Sequence, residues 1–255
     1  MPHIVVCFKW VIDETYLRRA PGGGLDFSSV DYKLSDYDRN AIEEAVRIRT
    51  ALGGTVTGIT VGPPEAAKGV KDALSRGMDA GVFIADPAFV DLDPSQTVSL
   101  IAQAVRNHVG PFDLIICGEG SGDLYAQQVG PRLAEALGID CVAFATQISL
   151  EGGTLTAQRR LEGVIEVVTA PLPALVTVLP EINTPRIPGV KDTLMAGKKP
   201  VRTLAKGDLG ATGGPRLQTL AVRAAAMERA CEKFGVEEAE VIRFVDALKK
   251  RGVLA

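Results

Sequence analysis

Histidine is scarce: His3 and His108 are the only two in 255 residues. A histidine-built metal centre or catalytic triad therefore has almost nothing to draw on. Cysteine is sparse as well. Cys7, Cys117, Cys141 and Cys231 are far apart and form no C-x-x-C. Three of them fall in apolar strand-like runs and read as buried thiols, which fits a reducing, cytoplasmic setting. Aromatic residues make up 5% and Trp10 is the sole tryptophan, so stacking surfaces are few. Excess positive charge is missing; the net charge is -3, which does not point to nucleic acid. No apolar run reaches the roughly 18–20 residues that span a bilayer, so no membrane insertion is expected. A secretory leader pattern is not seen at the N-terminus.

What is present is an ordinary globular balance, 46% hydrophobic and 23% charged, arranged as alternating strands and helices. His3–Phe8, Val56–Val61, Val82–Ala85 and Leu114–Cys117 read as buried strands, and Cys141–Phe144 as a further short one. Between them, Ser35–Asp38 opens a helix with Ala41, Ala45, Ile48 and Leu52 on its apolar face. Pro64 starts a helix to Arg76, and Asp93-Pro94 starts one through His108. The fold class is α/β: a mostly parallel, doubly wound, Rossmann-like sheet of the adenine-nucleotide-binding type. Thr154–Arg160 and Val164–Ala170 add an antiparallel hairpin. Pro180–Pro200 is loop-rich, with an exposed-looking Lys198-Lys199 pair. Gly207–Pro215 reads as a linker, and Arg216–Phe234 and Glu237–Arg251 as two amphipathic helices. The domain reading is 1–205 for the α/β body and 206–255 for a linker and C-terminal helical arm.

The stretch 113–138, DLIICGEGSGDLYAQQVGPRLAEALG, organises the rest. A short strand runs into three glycines within Gly118–Gly122, and a helix follows with Val129, Leu133 and Leu137 facing a core. That arrangement can aim free backbone N–H groups at an anion, or be a plain tight connection. Asp123 is expected to cap the helix or to hydrogen-bond a ribose. Gln127 and Gln128 offer neutral amides. The loop is neither a dinucleotide fingerprint, since Asp123 replaces the third glycine, nor a P-loop, since no Lys-Ser or Lys-Thr follows. In parallel sheets ligands sit beyond the carboxyl ends of strands. That rule brings Cys7–Lys9, Val61-Gly62-Pro63 and Gly118–Gly122 together.

Several ordered segments resemble the β subunit of electron transfer flavoproteins, most closely its Fix-type members. They are Lys9–Asp13, the helix start Asp36–Ala45, Ala73–Gly77, and the loop from Asp123 through Gln128-Val-Gly-Pro131. Arg159–Gly163, Leu172–Val178, Asn183–Arg186 and Lys206–Gly210 match as well. The resemblance spans roughly residues 3 through 210. It implies an electron carrier rather than an enzyme, a heterodimer whose α subunit holds most of a redox FAD. This chain would bind AMP internally, or a second FAD if the complex bifurcates electrons. The implied pocket uses Cys7, Ser35, Asp36, Asp38, Val61, Gly62, Gly118, Gly122, Asp123, Ala126, Gln127, Gln128, Val129 and Gly130. Thr184–Lys199 is similar to the family's recognition loop for acyl-CoA dehydrogenases, with Val190 as its apolar tip and Pro188 and Lys191 beside it. Bifurcating members have G-D-T where Leu124-Tyr125-Ala126 stand here, which removes polar contacts, adds a ring, and favours AMP. The other function class that the residues leave open is a stand-alone adenine-nucleotide-binding regulatory module.

Overall fold

A computed structural model describes residues 1–225 and 231–254. In chain order the strands and helices are β1 (His3–Cys7), β2 (Trp10–Ile12), β3 (Arg18–Arg19), β4 (Leu25–Asp26), β5 (Tyr32–Leu34), α1 (Asp36–Leu52), β6 (Thr55–Gly62), α2 (Ala67–Ser75), β7 (Ala80–Ala85), α3 (Pro94–Ala104), β8 (Leu114–Gly118), α4 (Val129–Leu137), β9 (Asp140–Glu151), β10 (Thr154–Leu161), β11 (Val164–Pro171), β12 (Ala174–Val178), α5 (Val190–Ala196), β13 (Val201–Leu204) and α6 (Glu238–Lys250). The chain divides into two compact units. The larger comprises Met1–Arg18 and Asp26–Ala221; the smaller comprises Arg19–Leu25 and Val222–Ala255.

In the larger unit nine strands form one sheet in the order β11-β10-β9-β12-β8-β1-β6-β7-β13. β1 pairs in parallel with β6 on one side and β8 on the other. Strands at the centre of such a sheet are buried on two faces, and β1 and β8 read accordingly: Ile4, Val5, Val6, Leu114, Ile115 and Ile116 are each fully buried. Alternation along β1 sends Ile4, Val6 and Phe8 to the face covered by α1 and α2, and Val5 and Cys7 to the face covered by α3 and α4. The chain steps from β1 outward through β6 to β7, then crosses back to place β8 on the opposite side of β1. The order in which the strands are laid down therefore reverses between β1 and β8, which makes their carboxyl ends the topological switch point of the sheet.

Local signals explain the helix starts. Asp93 accepts a hydrogen bond from the Gln96 amide at 2.8 Å in a capping box, with Pro94 in the first turn of α3. α3 continues as a π-helical turn over Val105–Val109. A 3-10 turn at Pro64–Ala66 leads into α2. Ala41, Ala45 and Ile48 are buried on α1 as the spacing predicts, whereas Leu52, in the last turn, is half exposed.

The structure corrects the sequence reading in five further places. The strand at Cys141 runs twelve residues, not four. It bends at Phe144, which has φ 66° and donates its amide to Thr177 Oγ1 at 3.0 Å. Before the bend it pairs in parallel with β12; beyond it, antiparallel with β10. Cys141 itself is exposed, so only Cys7 and Cys117 of the strand cysteines are buried thiols. The loop-rich stretch 180–200 contains the short helix α5, and β13 just after it extends the sheet in parallel with β7. Lys199 is not a free surface cation: its Nζ donates to the carbonyls of Leu74 at 2.9 Å and Met78 at 2.6 Å. The helix expected over Arg216–Phe234 does not form across 216–225, where Arg216 and Leu217 instead donate their amides to Asp93; residues 226–230 of that stretch lie outside the described residues.

Within the smaller unit α6 agrees with the expected second helix. It leaves Val241 and Phe244 half exposed, and Phe244 meets Phe234 edge-on at 5.4 Å. No helix among the described residues is long and apolar enough to cross a membrane.

Candidate functional site

The three loops that the sequence brings together do converge, at the carboxyl ends of β1, β6 and β8. The floor is set by the first turn of α1. Ser35 is fully buried and Asp38 nearly so. Asp38 Oδ2 accepts the Lys9 amide at 2.8 Å, and the Gly118 amide is also directed at its carboxylate. Lys9 in turn accepts the Ser35 amide on its carbonyl at 3.1 Å. The end of β1, the end of β8 and the start of α1 are thus stapled through one carboxyl group. Burial pushes Asp38 up to about 7, against the opposing effect of those hydrogen bonds and of Lys9. Gly118 is required here: a Cβ on it would come within 2.7 Å of Asp38 Oδ1 and 2.9 Å of the Tyr37 backbone.

Above the floor the glycine loop turns. The Gly122 amide donates to Ser35 Oγ at 3.3 Å. Asp123 does not cap the following helix, a correction to the sequence reading. Its carboxylate pairs with Lys9 Nζ at 2.5 Å and accepts from Ser121 Oγ and from the Leu124 amide. Burial alone would raise Asp123, but the Lys9 ammonium and these hydrogen bonds hold it below the usual carboxylate range. The chain cannot enter a helix at once because Tyr125 and Gln127 take left-handed conformations, φ 46° and 55°. Helix α4 starts only at Val129, with Gln128 at its N-cap and no side chain capping it. Two non-glycine residues at positive φ within three positions store backbone strain, a feature that gathers at ligand sites.

The strained turn is held from one side. The Tyr125 amide donates to Ser121, the Tyr125 hydroxyl meets the Glu119 carboxylate, and its ring lies 5.2 Å from that of Tyr37. Gln127 Nε2 reaches Glu119 at 3.4 Å. Burial raises the Glu119 carboxyl, with the Tyr125 and Gln127 hydrogen bonds opposing. On the other side the loop is an open shelf: Asp123, Leu124, Tyr125, Ala126 and Gln127 are exposed.

The shelf carries unspent donors. Among the described residues the amides of Gln128, Val129 and Gly130 donate to no protein acceptor, and Gln128 Oε1 is buried without a partner. Open N–H groups at the first turn of a nine-residue helix are suited to an anion. Gly130 lets that turn approach the sheet, since a Cβ there would sit 2.5 Å from Thr177 Cγ2.

The sequence-predicted residues divide into four sets by position. Gly118, Gly122, Asp123, Ala126, Gln127, Gln128, Val129 and Gly130 form the shelf. Cys7, Ser35 and Asp38 lie beneath it as its support. Val61 and Gly62 close the end of β6. Asp36 is turned to the outside, its carboxylate taken by Lys33 at 3.0 Å and Arg39 at 2.5 Å. Lys9 is a residue of the site that the sequence reading does not single out: its ammonium reaches over the loop to Asp123. Its place two residues past Cys7, at the end of the first strand, was the signal that could have found it.

Away from this shelf a second region stands out. Ile187, Val190 and Leu194 are 93%, 80% and 70% exposed on the segment that carries α5. Pro188 is half-buried and Lys191 exposed beside them. An open groove of about 380 Å³ runs between α2 and this segment, lined by Lys68, Lys71, Asp72, Ser75, Pro188 and Thr193.

Compared with known protein families, residues 23–209 match the electron transfer flavoprotein domain.

Proposed function

The chain belongs to the electron transfer flavoprotein family, and from that premise we propose that it is the β-type subunit, of the Fix branch, in a heterodimeric electron carrier. It binds AMP on the shelf between β1 and β8, while an α subunit holds the redox FAD. The flavin supplies the electron-transfer chemistry; this chain supplies placement and electrostatics.

The observation that carries the nucleotide assignment is the set of unpartnered amides at Gln128, Val129 and Gly130, at the point where the strand order of the parallel sheet reverses. Those amides and the Lys9 ammonium suit a phosphate. Gln128 Oε1, orphaned and buried, suits a donor such as a ribose hydroxyl or an adenine amine. Val61 supports the apolar side of the base. The Tyr37–Tyr125 pair fills space next to the turn and favours AMP over a second FAD. The exposed Ile187, Val190 and Leu194 suit docking to an acyl-CoA dehydrogenase-type flavoenzyme, because large apolar side chains gathered in solvent on one short segment mark a protein contact.

The test is the nucleotide content of the purified complex. Replacing Asp123 and Gln128 by Ala together is expected to abolish the copurifying nucleotide and lower the melting temperature, since a ligand that binds only the folded state stabilises it. Undiminished nucleotide in that double variant refutes the assignment. A colourless protein that purifies alone and still carries adenine nucleotide would favour the second reading, a regulatory module with no redox role.

A further inference from the structure

α5 has only seven residues and buries only Ala196 among them. A helix that short has no stability of its own in water. Its pose must come from the chain on either side, and both sides are fastened by polar groups.

On the leading side the fastening is to α1. Glu43, with its side chain 7% exposed, accepts from Arg186 three times: from the amide at 3.1 Å, from Nε at 2.7 Å and from Nη2 at 3.1 Å. The two guanidinium contacts form a fork across both carboxylate oxygens, the geometry that fixes direction as well as distance. Burial would raise the Glu43 carboxyl, but Arg186, together with Arg47 at 3.2 Å, offsets it and holds it low. One turn earlier Asn40 Nδ2 donates to the carbonyls of Pro180 at 3.0 Å and Asn183 at 2.9 Å. Asn183 Nδ2 returns a bond to the Asn40 carbonyl at 3.0 Å and another to Glu44 at 2.9 Å. Arg76 also donates to the Arg186 carbonyl at 3.1 Å. On the trailing side Lys199 Nζ holds the carbonyls of Leu74, in the last turn of α2, and of Met78, just beyond it.

We propose that Glu43, with Asn40 and Lys199, is a positioning device that fixes the exposed apolar side chains of Ile187, Val190 and Leu194 in one pose toward a protein partner. The proposal rests on the docking reading given above. None of the three residues touches the partner. They act by removing the alternative orientations that a tethered seven-residue helix would otherwise sample, so that the ordering cost is not charged to the encounter.

The test uses the purified α–β complex and an acyl-CoA dehydrogenase reduced by its own substrate. Glu43→Gln, Arg186→Lys and Lys199→Met are compared with Val190→Glu. For Glu43→Gln the apparent KM for the complex as electron acceptor rises about ten-fold, while kcat, nucleotide content and dye reduction by the chemically reduced complex stay put. Amides of residues 184–196 exchange hydrogen faster in the same variant. Arg186→Lys keeps the charge but loses the fork, and falls between wild type and Glu43→Gln. Should Glu43→Gln not fold, Arg186→Lys and Lys199→Met carry the same readouts from less buried side chains. If Val190→Glu raises KM but the clamp variants leave both KM and exchange at wild-type values, positioning is overturned while docking stands. If Val190→Glu leaves KM unchanged, the docking reading falls and the proposal falls with it.

Discussion

The shelf at Gly118–Gly130 and the segment at 180–199 solve opposite problems. The shelf leaves polar groups unpaired: three amides and a buried amide oxygen have no protein partner among the described residues. The elements on either side of it bury their apolar residues, with Cys117 and Leu133 in the core, although Leu124 on the loop itself stays in solvent. The 180–199 segment pairs its polar groups through Asn40, Glu43 and Lys199, and leaves Ile187, Val190 and Leu194 in solvent. Unpaired donors in a concave turn suit a small anion; unpaired apolar side chains on a held helix suit another protein. Both regions are built on α1. Its first turn supports the shelf, and its third turn anchors the segment.

The contrast breaks most visibly at Gly130. Gly130→Val pushes a side chain into Thr177, and over-packing of this kind costs about 1–3 kcal/mol. The expected result is a melting temperature lower by several degrees and a nucleotide-free protein, read by calorimetry and by mass spectrometry of the released ligand. Retained nucleotide would mean that the first turn of α4 is not where the anion sits.

A second substitution should do the reverse. Glu43→Gln loses charge-assisted hydrogen bonds and is expected to cost about 1–3 kcal/mol, while the nucleotide stays. If the nucleotide is lost as well, the two regions are one unit and the comparison fails.

Asp38 sharpens the picture through pH. Its folded pKa, about 7, stands above the ordinary 3.8, so the folded state holds this proton more tightly than the unfolded state. The stability it contributes is full below about pH 4 and is lost as pH rises through 7. The slope approaches about 1.4 kcal/mol per pH unit within that window. Lys9 and Cys117 are the titratable groups facing it. Asp38→Asn should flatten that part of the profile, measured by urea unfolding at pH 5 and pH 7. Parallel profiles for variant and wild type would remove Asp38 as the titrating staple.

The smallest effect on stability belongs to Val190→Glu. With 80% of the residue in solvent, the change should stay within about 0.5 kcal/mol, yet slow electron exchange with a dehydrogenase. A large loss of stability would show that Val190 supports the fold instead of a partner.

Much of this was legible in the sequence where residues act locally. Buried strands such as Ile4–Val6 and Leu114–Ile116 announce themselves by unbroken apolar character. Asp93-Pro94 marks a helix start by its own chemistry. The convergence of three loops followed from strand direction alone. What stayed hidden depends on distant partners. Asp123 is a good N-cap by type, but Lys9, more than a hundred residues away, claims its carboxylate. VKDTLMA has good helix formers and Asp192 to bond the Gly189 amide, but seven residues are too few to form a helix alone, and the support from Glu43 and Lys199 is distant in sequence. Phe144 bends β9 through a backbone angle that its side chain does not advertise.

The most direct test of the central assignment is to denature the purified complex, weigh what it releases, and titrate the stripped protein with AMP. The account predicts AMP near one equivalent per chain in addition to the flavin, and a melting temperature that rises with added AMP. A stripped protein whose melting is indifferent to AMP, from a complex that released no adenine nucleotide but its flavin, would contradict it.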